Sequence, residues 1–472
     1  MSFFTTPSLS CRFQLLRSSF MQRDGLPFAD VLPEEHIQTV FDAEGVQFAQ
    51  AEEDVYTPAV TLWAFLSQML FKGEQRSCLA AVSRVVVLLV ALGRQPPSDN
   101  TGVYCRARAK LPERVIRRLT VETAARLEEA IPASWLWRCR HVKLVDGTTA
   151  TAADTPQNQH AWPQSSAQAP GLGFPMLRIV VLLSLATGML CGMAEGPCAG
   201  KETGEMALFR QLLEQLAQGD IVLADRYYCS YFMIALLREM GVDVVTRLHQ
   251  ARGADFRRGQ SLGHDDHLVT WVRPERPEWM DEETYVRMPT TLTLREVKVA
   301  VREPGFRTEG FVVVTTLLDA RWYTRGDIAE LYRKRWLAEL DIRAIKETLG
   351  LDILRCKSPE MVRKELWAGL LAYNLLRQVI AQSAAQQGVA PRRVSFAATM
   401  QKVAAGWCVL PLSDPQLAAQ IVAAHLRHLA AHEVGHRPNR IEPRAVKRRP
   451  KPHALLMQSR AEARAALLAS KA

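Results

Sequence analysis

Residues 221–248 read IVLADRYYCSYFMIALLREMGVDVVTRL, in which two short apolar segments flank a longer apolar one. The outer segments, residues 221–224 and 242–248, have the length and residue types of buried strands. The central segment, residues 231–240, has the length and residue types of a helix. A strand–helix–strand crossover of this kind places two parallel strands in one sheet. We therefore predict an α/β fold, a sheet covered by helices.

The segments around this crossover predict how the chain is divided. Helical periodicity covers residues 25–135, and short apolar runs predict strands at residues 141–145, 176–185, 190–199 and 311–318. Residues 201–216 are predicted to form an amphipathic helix, and residues 325–350 and 358–386 two long helices. The predicted parts are a helical N-terminal module (1–135), a core in two pieces (136–250 and 311–386), a β-rich insertion (251–310), and a helical C-terminal region with a basic tail (387–472).

Composition excludes several classes of protein. The chain has 472 residues, 48% hydrophobic and 23% charged, which is typical of globular domains and not of disordered or collagenous chains. Its longest uncharged apolar run, residues 179–194, is too short for a membrane span, so we expect no membrane association. No signal-peptide pattern is found, although Met1 and Met21 are both candidate starts. The nine cysteines form no C-x-x-C pair, which favours free thiols in a reducing cytoplasm and disfavours zinc.

Basic residues are concentrated in two places. The net charge is +10, and the sequence contains no P-loop, so no nucleotide cofactor is predicted. The two clusters of basic residues favour a polyanionic partner such as DNA. The alternative is that they form a solvated surface. A DNA-binding module of the helix-turn-helix type and a helical cap with a polar face are both compatible with the N-terminal helices. The clusters are Arg106, Arg108, Lys110, Arg114, Arg117 and Arg118, and the tail Arg437, Arg440, Arg444, Lys447, Arg448, Arg449 and Lys451.

Two aspartates follow predicted strands. Asp146 follows residues 142–145, and Asp225 follows residues 221–224. A carboxylate just beyond a buried strand lies at the edge of the sheet, where sites form in α/β proteins. The alternative for Asp146 is a turn, because Asp-Gly is itself a turn signal.

A third acidic residue lies in the helix predicted at residues 325–350. Tyr332, Arg335, Glu339 and Lys346 fall within an arc of roughly 60° on an ideal helix, and Arg343 joins that face. One carboxylate surrounded by cations and a phenol suits a metal ion held beside a phosphate chain. A surface helix with ion pairs between successive turns is the alternative.

The pattern Tyr-x2-Arg-x3-Glu-x6-Lys, together with both strand-end aspartates, resembles the signature of one branch of bacterial insertion-sequence transposases, the group numbered four. These are Asp-Asp-Glu enzymes with a ribonuclease-H-like catalytic core, and the resemblance covers about residues 25–455. It implies a cut-and-paste DNA transposase that frees and joins transposon ends by phosphodiester hydrolysis and strand transfer, with hairpin ends. The alternatives are a stand-alone ribonuclease-H-like nuclease and a domesticated DNA-binding protein without catalysis.

The resemblance also implies roles for individual residues. Asp146, Asp225 and Glu339 would be catalytic and would hold two Mg²⁺ ions per active site, for which Mn²⁺ can substitute. Expected contacts to DNA phosphates come from Tyr332, Arg335 and Lys346, with Arg226 and Arg343 as further candidates. The implied partners are the terminal inverted repeats, target DNA and a second copy of the chain, in the bacterial cytoplasm at the nucleoid. Phe311, Trp271 and Trp322 are candidates for stacking on a flipped base.

Two other features are predicted to be structural. His264, Asp265, Asp266 and His267 have the composition of a metal cluster, but in a polar insertion we expect a solvated loop. Trp336, inside the signature helix, is expected to have a packing role.

Overall fold

The structure is a computed structural model that describes residues 13–49, 51, 54–300, 310–432 and 455–470. Helices form most of the chain before Val142 and after Thr315, and the strands lie between. The strands are β1 (Val142–Thr151), β2 (Met176–Ser184), β3 (Leu190–Pro197), β4 (Ile221–Ala224), β5 (Asp243–Arg247), β6 (Gln260–Gly263), β7 (Asp266–Val272), β8 (Thr291–Ala300) and β9 (Gly310–Thr315). The helices are α1 (Gln14–Ser19), α2 (Glu34–Ala43), α3 (Pro58–Leu70), α4 (Cys78–Ala91), α5 (Thr101–Lys110), α6 (Glu113–Ala130), α7 (Pro156–Ala161), α8 (Glu205–Arg210), α9 (Tyr231–Glu239), α10 (Glu282–Arg287), α11 (Arg325–Arg333), α12 (Leu337–Arg343), α13 (Pro359–Gln387), α14 (Phe396–Gly406), α15 (Pro415–Ala431) and α16 (Arg460–Ala469).

Within the described ranges the strands form one mixed sheet of nine, in the order β3-β2-β1-β4-β5-β9-β8-β7-β6. Strands β1, β4 and β5 are parallel, and β4-α9-β5 is the predicted crossover. On one side β2 and β3 run antiparallel, and on the other side β9 pairs antiparallel with β5. The prediction of a mixed α/β fold is confirmed. The strands of the predicted insertion, β6 to β8, continue this sheet through β9 and are not a separate layer.

The prediction that the first strand ends at Asp146 was wrong. β1 runs through Asp146 to Thr151, because β2 pairs antiparallel along its whole length. Only its first four residues also pair with β4. Asp146-Gly147 is therefore extended backbone inside a strand, and the turn interpretation of this dipeptide does not hold.

One buried cluster joins the N-terminal helices to the sheet. Val85 of α4, Leu144 of β1 and Leu371 of α13 belong to it, and all three are at most 2% exposed. Helix α13 is buried on nearly every side and packs against α3, α6 and α15. The loop between α4 and α5, residues 92–100, is longer than the turn of about 3–4 residues in a helix-turn-helix.

None of the described helices combines the length and apolarity needed to cross a membrane.

The signature helix is not one regular helix. A capping box between Thr324 and Asp327 begins α11, a 3-10 turn at Lys334–Trp336 separates it from α12, and a π-helical stretch at Ala344–Thr348 follows. Such irregular turns often occur at functional sites. One flank of this segment nevertheless packs in the core, since Leu331 and Ala338 are fully buried.

A buried ion-pair network fixes α12 to its neighbours. Asp341 is 1% exposed and accepts hydrogen bonds from Arg377 of α13 and from Arg392, whose Nη1 lies 2.6 Å from Asp341 Oδ2. Arg392 also donates to the backbone oxygens of Ser184 and Leu185 at the end of β2. The network therefore links the helix that carries Glu339 to the sheet.

Replacing Asp341 by Ala is expected to lower the free energy of unfolding by about 3–5 kcal/mol, because two guanidinium groups lose their buried partner. Urea denaturation measures this loss. Glu347→Ala, an exposed change shortly after the same helix, is the control and should alter stability by no more than about 0.5 kcal/mol. Equal stability of the two variants would contradict a structural role for the network.

Candidate functional site

The sheet register brings Asp146 and Asp225 side by side. Val145 pairs with Ala224 in the parallel β1–β4 ladder, and each aspartate is the next residue of its chain. Neighbouring strands lie about 4.8 Å apart, so the two backbones are adjacent where β4 ends. Asp225 caps the following 3-10 turn, with its Oδ1 accepting from Tyr227 N at 2.8 Å.

Arg335 links the third acidic residue, Glu339, to Asp146 of β1. Its Nη2 donates to Glu339 Oε1 at 2.6 Å, and its Nη1 lies 3.5 Å from Asp146 Oδ2. The Arg335 side chain is 20% exposed and that of Glu339 is 58% exposed. The structure therefore brings the signature helix and β1 together through a guanidinium that lies between two carboxylates.

The surroundings raise the pKa of Asp146 to about 6, from 3.8. Burial is the main cause, and the charges of Asp225 and Glu339 act in the same direction. Arg335 and the N–H of Gly147 oppose the shift. The negative charges of Asp225 and Glu339 thus act on Asp146, and a positive ligand would relieve that repulsion.

The other signature residues face the same region with different exposures. Tyr332 is 7% exposed and packs on Phe311 with ring centroids 5.1 Å apart, and burial raises its pKa to about 12. Lys346 Nζ donates to Thr148 Oγ1 of β1 at 3.1 Å. Arg226 and Arg343 are exposed. Tyr332, Arg335 and Lys346, predicted to share one face of the helix, each contact a strand of the sheet, although the helix is irregular.

Carboxylate oxygens are suitable ligands for a hard divalent cation, but the described residues do not form a complete set of ligands around one position. Nowhere in the described part of the chain are three acidic, His or Cys side chains close enough together to hold one metal ion. Between Asp146 and Glu339 the positive charge is supplied by Arg335. A cation binding both carboxylates would take over the position of that guanidinium. The donor chemistry therefore fits a divalent ion.

Sequence reasoning missed a fourth carboxylate. Glu205 lies in α8, which is shorter than the helix predicted at residues 201–216. Its carboxyl group lies against Gly147. A Cβ atom added at Gly147 would be only 2.2 Å from Glu205 Cδ. Tyr228 donates a hydrogen bond to Glu205 Oε2 at 3.3 Å. No local pattern marks Glu205, because only the packing of α8 on the sheet brings it to β1.

Two structural predictions need correction. Trp336 is 54% exposed, so it does not pack in the core. Asp266 and His267 are buried in β7, where they bond to Arg295 and Glu296, because that strand lies inside the extended sheet. His264 and Asp265 do lie in a turn, between β6 and β7, and of the two His264 is the exposed one.

The candidate aromatic and basic residues differ in accessibility. Trp322 is 66% exposed, whereas Trp271 is buried beneath the guanidinium of Arg252. In the basic cluster Arg106 and Lys110 are exposed, but Arg108 packs over Phe65 and donates to Gln68. The basic tail at residues 437–451 lies outside the described residues.

Comparison with known proteins identifies the class of protein. Residues 137–375 match the family model described as Transposase DDE domain, and this range contains all three candidate carboxylates. Over 401 residues the chain is 30% identical to Transposase InsG for insertion sequence element IS4 of Escherichia coli (strain K12), covering 82% of this chain and 85% of that protein. The chain therefore belongs to the DDE transposases of the IS4 family. It is a DNA transposase, an enzyme that cleaves and transfers DNA, and its family uses divalent metal ions.

Other similarities are weaker. A stretch of 74 residues is 38% identical to Transposase for insertion sequence element IS421 of Escherichia coli, covering 16% of this chain and 20% of that protein. The solved piggyBac transposase synaptic complex with hairpin DNA aligns with 90% of this chain and 87% of its own, at 10% identity and a TM-score of 0.42. That score is too low to support a further conclusion.

Proposed function

We propose that this transposase cuts and joins transposon ends beside Asp146 of β1 and Asp225 at the end of β4, with Glu339 as third acidic residue, using two Mg²⁺ ions. The observation that carries the proposal is the convergence of β1, the end of β4 and α12 around Arg335. The strand order β3-β2-β1-β4-β5 supports our description of the core as ribonuclease-H-like.

Each residue has a stated task in this mechanism. The carboxylates of Asp146, Asp225 and Glu339 would hold the two ions, which supply stabilisation of the attacking and leaving oxygens. Arg335 would move from the carboxylates to a DNA phosphate, which its planar group binds in a bidentate way. Lys346 would add a point charge beside Thr148, and the exposed Arg226 and Arg343 would contact the backbone further away.

The direct test uses purified full-length chain, a duplex carrying one inverted repeat that flanks its coding region, and Mg²⁺. We expect a nick that frees a 3′ hydroxyl, then a hairpin on the transposon end, then joining to target DNA. A duplex with a scrambled end is the control. Equal cutting of both duplexes would contradict end-specific transposition, and nicks without hairpins would contradict the hairpin route.

Cation binding should depend on pH through Asp146. Since the pKa of its carboxyl group is raised to about 6, the group is mostly protonated at pH 5 and mostly ionised at pH 7. A protonated carboxyl group is a poor metal ligand, so Mn²⁺ affinity should fall about tenfold between pH 7 and pH 5. Titration of the protein followed by electron paramagnetic resonance of free Mn²⁺ measures this. In Asp146→Asn the dependence should be reduced; an unaltered pH profile would exclude Asp146 as its source.

The helical N-terminal part is proposed to be a DNA-binding module through α5. Arg106 and Lys110 lie one helical turn apart on its exposed side, together with the exposed Val103. Replacing both cations by Ala should reduce the salt dependence of end binding by about two phosphate contacts, without loss of stability. Fluorescence anisotropy at several salt concentrations measures the slope. Arg238→Ala, an exposed change on α9, is the control and should leave it unaltered.

We further propose a homodimer on DNA, because two transposon ends must be joined to one target. We also propose that it acts in the cytoplasm at the nucleoid, because its substrate is DNA. Light scattering of the complex with end duplexes should give two chains per assembly. One chain per assembly throughout the reaction would contradict this.

A further inference from the structure

Glu205 lies against the candidate active site without a role in the mechanism above. Ideal Cβ geometry at Gly147 gives distances of 2.2 Å to Glu205 Cδ and 2.4 and 2.5 Å to its carboxylate oxygens. Any side chain at position 147 would therefore displace this carboxyl group. Gly147 does not have a positive φ, so its backbone conformation alone does not require glycine. What the absent side chain provides is space for Glu205 immediately beside Asp146.

Glu205 approaches from the face of the sheet opposite Glu339. Successive residues of a strand point to opposite faces, so Asp146 and Gly147 do too. Leu144, two residues before Asp146, belongs to the buried cluster that includes Ala338 of α12. Val145, two residues before Gly147, belongs to the cluster that includes Leu208 of α8. The two helices therefore bring one carboxylate to each face of β1.

Beyond the end of β4, no neighbouring strand among the described residues separates the two faces of the sheet on that side of β1. β4 stops at Ala224, so beside Asp146 and Gly147 no parallel strand continues the sheet on that side. Tyr228, which donates to Glu205, follows Asp225 by three residues. Burial raises the pKa of Glu205, as does the negative charge of Asp225. Burial also raises the pKa of Tyr228, as do the charges of Glu205, Asp146 and Asp225. Tyr228 is thus close enough to Glu205, Asp146 and Asp225 to be influenced by the charge of each.

We propose that Glu205 is a fourth carboxylate of the metal site, supplying an oxygen donor to a divalent cation shared with Asp146 or Asp225. This inference rests on the proposed function, since it adds a ligand to the site proposed there. Gly147 is then a positioning residue, because it leaves the space through which the Glu205 carboxyl group reaches the sheet edge. Tyr228 orients that carboxyl group by its hydrogen bond.

The test measures Mn²⁺ binding by the full-length chain, independently of cleavage. Electron paramagnetic resonance of free Mn²⁺ gives the affinity and the number of bound ions. In Glu205→Gln we expect a loss of affinity of about 10–100-fold or the loss of one ion. Glu214→Gln, an exposed change just after α8, is the matched control and should bind like the unaltered chain. Circular dichroism and thermal unfolding verify that each variant is folded.

Two further variants distinguish failure of the proposed role of Glu205 from failure of the proposed metal site. Gly147→Ala places a methyl group where the Glu205 carboxyl group lies, so it should reproduce the defect of Glu205→Gln, and the double variant should be no worse than either. Asp146→Asn should weaken binding in any case. Loss of binding in Asp146→Asn alone, with Glu205→Gln unaltered, would overturn the role of Glu205. Unaltered binding in Asp146→Asn would overturn the proposed metal site itself, and the role of Glu205 with it.

Discussion

Replacing Glu339 by Gln is expected to reduce cleavage of a transposon-end duplex about a thousandfold or more while end binding persists. The amide keeps the shape of the side chain and can still accept a hydrogen bond from Arg335, but it loses the negative charge proposed to hold a divalent ion. Metal stabilisation of the reacting oxygens contributes several kcal/mol, and each 1.36 kcal/mol corresponds to about tenfold in rate. Because Glu339 is 58% exposed, folding should be unaffected.

The measurement compares single-turnover cleavage with anisotropy binding on the same duplex. Glu330→Gln is the matched control, since Glu330 is an exposed acidic residue of α11 that pairs only with Lys334 among the ion pairs observed. It should cleave at close to the unaltered rate. Cleavage by Glu339→Gln within about tenfold of that rate would remove Glu339 from the proposed ligands.

Replacing Arg335 by Ala is expected to weaken end binding about tenfold and to lower the slope of affinity against salt by about one phosphate contact. A charge-assisted bond to phosphate contributes roughly 1.5–3 kcal/mol. Arg335→Lys should recover part of the salt slope but not the full affinity, because an ammonium group cannot form the bidentate contact. Anisotropy titrations at several salt concentrations measure both quantities.

The same substitution has a second expected effect, on Asp146. Arg335 lowers the pKa of that carboxyl group, so its removal should raise the pKa further above 6. The decline of Mn²⁺ binding should then occur at higher pH in Arg335→Ala. Arg333→Ala is the control, because residues two positions apart point to nearly opposite sides of a helix and Arg333 is exposed. A salt slope unchanged by Arg335→Ala would exclude this residue as a phosphate contact.

The local sequence pattern was sufficient to predict the strands and helices of the core. The crossover at residues 221–248 and the strands β2 and β4 lie within one or two residues of their predicted bounds, because apolar runs reflect burial directly. The family signature at residues 332–346 was also recognisable from residue types and spacing. Both features depend on residues close together along the chain.

Long-range pairing decided the rest. β1 continues past Asp146 because β2 hydrogen-bonds along it, and the strands of the insertion extend the central sheet because β8 pairs with β9. The position of Arg335 between Asp146 and Glu339 also depends on packing, because residues far apart in sequence meet there. By itself the sequence determined the fold class, the family and the three acidic candidates. Only the tertiary structure placed Glu205 against Gly147, since no local pattern records which helix packs on which face of a sheet.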